Sequence, residues 1–224
     1  MQHSLYKRII SYSSAILCIT ACAADLILIY VLGKQIPGFN QLTHTLSSLG
    51  VSGSPVAGIV SIWSVILGVV FVFFAFGFRN TFRAYGKQIN KVFWLIILYG
   101  LGEGVASGIF RIDILNGRLT NMAVLHEFLG GIGVTALLLL PLVMRTIFTA
   151  FSYPLFFRFS GIVFALGLIS IFLFSFRLEY FAGSFLYKYC GVWQRIFLVN
   201  SYVYLTVIAF KVMRGTNQIK SKVR

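Results

Sequence analysis

Acid–base chemistry is scarce in this chain, with five carboxylates and three histidines among 224 residues. Asp25 and Glu103 fall inside long apolar runs, while His44, Asp113 and His126 lie in or beside the polar segments between them. A histidine steered by a carboxylate can serve as a general base. Asp113 is therefore a candidate to orient His126, which would activate water or the Ser47 hydroxyl. His126 could instead be a metal ligand or hold a plain interfacial position. Two lone histidines on separate segments lack the His-x-x-x-His spacing of a helical ligand pair, so no metal site is expected. No motif specifies a cofactor.

Glu103 lies about 10 Å inside the end of its run at 1.5 Å per residue. An unpaired carboxylate at that depth costs several kcal/mol, so it must be protonated, paired or water-exposed. Arg195, about one turn into the last apolar run, could pair with Glu103 or with Asp25. The alternative is that Arg195 snorkels and Glu103 is neutral. Asp25, His44, Glu103, Arg111 and Arg195 are the expected binding residues, and Ser47, Asp113 and His126 the expected catalytic ones.

The elements that must position these residues follow from composition. The chain is 58% hydrophobic and 11% charged, where a soluble domain carries about 25% charged residues. That excludes a soluble globular enzyme and a disordered tail. Three cysteines exclude a disulfide scaffold. Cys18 and Cys22, four apart in the first run, read as packing residues. The formal charge of +14 would suggest nucleic acid in a soluble protein. Here the bases sit between apolar runs, so no nucleic acid is expected and the charge reports topology instead.

Six apolar runs stand out: Ile9–Leu32, Pro55–Phe78, Val92–Phe110, Met122–Met144, Leu155–Phe176 and Cys190–Phe210. Each is near the ~20 residues a spanning helix requires, and none shows the alternation of a barrel strand. The expected fold is an all-α, polytopic six-helix bundle forming a single integral membrane domain over residues 1–224. Thirteen Lys and Arg residues lie on one side: Lys7 and Arg8; Arg79, Arg83, Lys87 and Lys91; Arg145 and Arg158; Lys211, Arg214, Lys220, Lys222 and Arg224. Five lie on the other: Lys34, Arg111, Arg118, Arg177 and Lys188. The positive-inside rule then puts both termini in the cytoplasm and all five acids in the outer half. Ile19-Thr20-Ala21-Cys22 resembles a lipoprotein box and Ala21-Cys22-Ala23 a signal-peptidase site. The apolar run continues to Leu32, which argues against cleavage; an intact mass decides it.

Two local patterns refine this picture. Gly100, Gly104 and Gly108 recur every four residues, a small-residue stripe that lets another helix approach closely and turns Glu103 and Ser107 toward the bundle interior. In the longest outer loop, Asn40 to Gly50 reads as a short amphipathic helix, with Asn40 as N-cap and Gly50 as stop. Leu42, Leu46 and Leu49 form its apolar stripe, and His44, Ser47 and Ser48 share another face. It would rest on lipid or act as a lid over the outer polar residues.

Several of these segments resemble one family. Pro37-Gly38-Phe39 through Ser47-Ser48-Leu49-Gly50 and Gly53-Ser54-Pro55 is similar to the first-loop signature of the bacterial membrane proteins grouped as domain of unknown function 998, which ends in Ser-x-Leu-Gly. Phe110-Arg111-Ile112-Asp113 resembles the family's Phe-Pro-x-Asp element, departing at Arg111 where proline is usual. The histidine that follows is His126 here. Gly191-Val192-Trp193-Gln194-Arg195 resembles its late Gly-x-x-x-Arg element. The resemblance implies six helices in a bacterial cytoplasmic membrane and functional roles for Ser47, Asp113, His126 and Arg195; it implies no assigned activity. A distant likeness to six-helix lipid-remodelling and autophagy-modulating membrane proteins adds little.

Three functions stay open. One is a protein that binds or chemically modifies a membrane lipid or small amphiphile. It is similar in residue types to alkaline-ceramidase-type hydrolases, but lacks their second histidine pair. Gly50-Val51-Ser52-Gly53 with His126 also resembles a rhomboid protease pairing, on the wrong helices. The second is small-solute or proton-coupled transport or binding, against which the lack of a visible inverted repeat counts. The third is a purely structural membrane protein.

Overall fold

Hydrocarbon offers backbone amides no water, so each apolar run must close its own hydrogen bonds as a helix. A computed structural model of the chain describes residues 2–115 and 118–221. Among them are six helices long and apolar enough to cross a membrane. They are α1 (Gln2–Gly33), α2 (Ala57–Phe82), α3 (Gln88–Ile109), α4 (Asn121–Ile147), α5 (Pro154–Phe174) and α6 (Cys190–Ser221). Each overlaps one of the six expected apolar runs, with Pro55, Val56, Phe110, Ser175 and Phe176 falling outside these helices, and the all-α class holds. Lys222 and Arg224 lie outside the described residues, as do the side chains of Glu179 and Lys220.

Each helix packs on the next in sequence, and α6 returns to pack on α1, closing the bundle. Phe71, Phe74, Phe78, Tyr99 and Tyr204 are fully buried at its centre. The outward faces carry Ile62, Val69, Trp94, Ile162 and Phe172, all exposed, so the helices present apolar side chains to lipid. The ends differ in charge. Loops 34–56, 110–115 with 118–120, and 175–189 lie at the end that holds Asp25, Glu103, Asp113 and Glu127, termed the acidic end. At the opposite, basic end, the Lys211 ammonium sits 4.3 Å from the ring centre of Phe156, 4.9 Å from that of Phe148 and 5.0 Å from that of Tyr153. Such cation–π contacts fix a charge beside an aromatic belt.

Helix α3 is the wedge of the bundle. A Cβ at Gly100 would lie 2.7 Å from the Gly68 carbonyl oxygen of α2, and one at Gly108 would lie 2.6 Å from that of Ser61. A Cβ at Gly104 would run into the Gly68 backbone. On the other flank, Gly133 of α4 is pressed as closely on the backbone of Glu103. The partner of the glycine stripe is therefore α2. Between Gly100 and Ala106 the helix widens to π geometry, a rare form that concentrates at functional sites. Nothing in the hydrophobic period announces it.

The first loop departs from expectation. The amphipathic helix read over Asn40–Gly50 contracts to one 3-10 turn, Ser47–Gly50. The reason is competition for backbone groups. A helix would bond the Leu46 N–H to the Leu42 carbonyl. Instead Leu46 N–H donates to Gln194 Oε1 at 2.7 Å, and the Leu42 carbonyl accepts from Val192 N–H at 3.1 Å. Asn40 opens a turn rather than a helix: its Oδ1 accepts from Leu42 N–H at 2.8 Å. The apolar stripe divides accordingly, with Leu49 buried against Leu32 and Val56 while Leu42 is exposed. The third loop adds a two-residue antiparallel pair, β1 (Ile114–Leu115) and β2 (Arg118–Leu119), before Thr120 caps α4 by accepting from Ala123 N–H.

Candidate functional site

Because α1, α2, α3 and α6 meet at the acidic end, their few polar side chains can share one space. A cavity of about 110 Å³ lies there, recessed between the helices and covered by the 3-10 turn of the first loop. Asp25, Ser47, Glu103, Arg111 and His126 line it, from three helices and two loops. Ser61, Ser64 and Ser107 add hydroxyls, and Leu28, Leu32, Leu49, Leu67 and Phe71 supply apolar walls.

The carboxylates are held in contrasting ways. Asp25 is 5% exposed, and its oxygens accept from Trp63 Nε1–H and from the Tyr202 hydroxyl, each at 2.7 Å. The Tyr99 hydroxyl donates to that of Tyr202 at 3.4 Å, extending the chain across the core. Glu103 makes no hydrogen bond or ion pair with any described residue. Its carboxylate faces the cavity beside Ser107 and Gly130. The buried Asp25 carboxylate is thus satisfied by the fold, while the half-buried Glu103 carboxylate has no partner among the described residues.

His126 is oriented by backbone. Its Nδ1 lies 2.7 Å from the Phe110 carbonyl oxygen. A carbonyl can only accept, so Nδ1 carries the proton, and in the neutral ring Nε2 keeps its lone pair. Asp113 does not take the orienting role expected of it: its Oδ1 accepts from Ser52 N–H at 3.2 Å. Arg111 lies at the mouth, its Nε–H donating to Ser61 Oγ at 3.0 Å.

The expected pairing of Arg195 with Glu103 or Asp25 does not form. Arg195 donates to the His44 carbonyl at 2.8 Å, to the Gly191 carbonyl at 3.0 Å and to Gln41 Oε1. It is a clasp that fastens the first loop to α6. His44 lies outside the cavity, in a separate groove. The one ion pair among the described residues joins Arg177 to Glu127. Sequence reasoning passed over Trp63, Tyr99 and Tyr202. The available signal was position: an aromatic with a polar atom deep in a spanning run needs a partner there. Among the described residues, no three His, Cys, Asp or Glu side chains converge as a metal set.

A family model described as Protein of unknown function (DUF998) matches residues 19–211, a stretch that includes the cavity and the Arg195 clasp. No curated protein and no solved structure matches the chain.

Proposed function

The chain belongs to the DUF998 family of proteins of unknown function, and from that premise we propose that it is a membrane protein whose recessed cavity takes the polar end of a lipid or small amphiphile. The observation that carries this is Glu103, a half-buried carboxylate with no partner among the described residues, facing a cavity lined by both serine hydroxyls and apolar side chains. Lone polar groups at membrane depth are costly, and a ligand bearing hydrogen-bond donors would offset that cost. Arg111, His126 and the serines offer further polar contacts to the same head group. The apolar wall suits the start of an acyl chain.

A catalytic version of this reading rests on His126. With Nδ1 donating to the Phe110 carbonyl, Nε2 is a proton acceptor in a cavity that also holds Ser47. That arrangement supports general-base activation of water or of the Ser47 hydroxyl toward a bound ester. Phe110 then does what Asp113 was expected to do. We place the protein in a bacterial cytoplasmic membrane as one domain, with both termini in the cytoplasm and the cavity facing outward; the thirteen-to-five distribution of Lys and Arg supports this orientation.

The test is lipid extraction from the purified full-length chain followed by mass spectrometry. The wild type should carry a lipid or amphiphile enriched over the bulk membrane, and Glu103→Gln should lose that enrichment while remaining folded. An His126→Ala variant that accumulates the bound species, where the wild type holds its cleavage product, would assign catalysis. A wild type whose bound lipids match the bulk membrane would overturn the binding reading and favour transport of a solute or a purely structural role.

A further inference from the structure

Outside the cavity, the first and fifth loops enclose a second concavity at the acidic end. It is an open groove lined by Thr43, His44, Ser48, Arg177, Tyr187 and Lys188, among others, and among the described residues no carboxylate lines it. Three independent fastenings hold its floor. Cys190 Sγ donates to the Thr43 carbonyl at 3.2 Å, Val192 N–H to the Leu42 carbonyl at 3.1 Å, and Arg195 to the His44 carbonyl at 2.8 Å. A groove built from two loops is therefore attached to the rigid start of α6.

Its side chains present donors. Asn40 N–H points at His44 Nδ1 at 3.1 Å and Thr43 Oγ1 lies 3.2 Å from the same atom, the Asn40 carbonyl being farther at 3.3 Å. We assign Nδ1 as the acceptor, which leaves the ring proton on Nε2. The Tyr187 hydroxyl has no partner among the described residues. The Lys188 ammonium is exposed, its nearest recorded ring being that of Tyr189 at 5.6 Å. Arg177 uses Nη1 and Nη2 on Glu127, and a guanidinium with five N–H bonds keeps others for a further acceptor. Donors from two loops thus meet in one groove, where Arg177 is the one that also holds an acid, Glu127.

We propose that this groove binds a phosphate group, carried either by an anionic phospholipid or by a soluble phosphate. A tetrahedral oxyanion offers acceptors in several directions at once, which matches a guanidinium, an ammonium, an imidazole N–H and a phenol arriving from different segments. The site is separate from the cavity and does not depend on what the cavity holds.

Two arms test it on the purified full-length chain. One measures binding of radiolabelled inorganic phosphate in detergent. The other counts phosphatidylglycerol against diacylglycerol adducts by native mass spectrometry. Lys188→Glu should weaken binding at least about fivefold, the loss expected for one surface cation, and His44→Ala by about fivefold. Neither change touches the Arg177–Glu127 pair. Sensitivity in the phosphate arm identifies a soluble source, and sensitivity in the lipid arm alone identifies a head group; both support the site. No binding in either arm, or binding indifferent to both substitutions, overturns it.

Discussion

The cavity and the groove lie at the same end of the bundle, yet they are made of different material. The cavity is walled by helices, and its polar groups are spaced by helix packing. The groove is walled by loops tied down at a few points to α6. Their histidines are set in opposite senses. His126 gives its Nδ1 proton to a backbone carbonyl and offers a lone pair, while His44 takes backbone and threonine donors on Nδ1 and offers a proton. The same side chain presents an acceptor nitrogen in one place and a donor in the other, because the backbone reaching its first nitrogen differs. The difference teaches that residue type alone does not assign a chemical role in this protein.

If the cavity is part of the fold's core and the groove is not, substitutions should sort by stability. The largest effect is expected at Asp25. Asp25→Ala removes the acceptor for both Trp63 and Tyr202 and should cost about 2–5 kcal/mol, two buried donors left unmade. Thermal unfolding in detergent measures it, and Asp25→Asn, which keeps one acceptor oxygen, should cost less. An unchanged melting temperature for Asp25→Ala would remove the claim that this network supports the bundle. Next comes Gly104→Ala, whose added methyl meets the Gly68 backbone. Overpacking of this kind should cost about 1–3 kcal/mol and push α2 from α3.

Glu103→Gln sharpens the contrast between the buried Asp25 carboxylate and the half-buried Glu103 carboxylate. It breaks no hydrogen bond within the protein, so stability should move by less than about 1 kcal/mol, while retention of the cavity ligand falls. A large loss of stability would instead mark Glu103 as structural. The smallest stability effect is expected at Lys188→Glu on the groove rim, within about 0.5 kcal/mol. Its consequence should appear only in phosphate binding, so a folded variant with full binding separates the groove from its proposed ligand.

Much of the molecule was legible before its structure. The six spans and the close approach at Gly100, Gly104 and Gly108 follow from hydropathy and spacing, which are local properties of the chain. The gathering of Asp25, Ser47, Glu103, Arg111 and His126 about one cavity agrees with the argument that hydrocarbon tolerates polar groups only where they face each other or water. What failed was pairing. Opposite charges suggest an acid for Arg195, but the His44 and Gly191 carbonyls and the Gln41 side chain reach it first. The loop helix failed for a related reason: Gln194 and Val192, about 150 positions away in the chain, supply the bonds a helix would have made for itself.

The sequence by itself determined that this is a multi-pass membrane protein with scarce polar groups held at one end, because the solvation cost of a side chain in lipid depends on its type and depth. Tertiary structure alone decided which of those groups are partnered. Hydrogen bonds are short and directional, so the state of Glu103, the tautomers of two histidines and the shape of the first loop depend on distances between segments that no local spacing encodes.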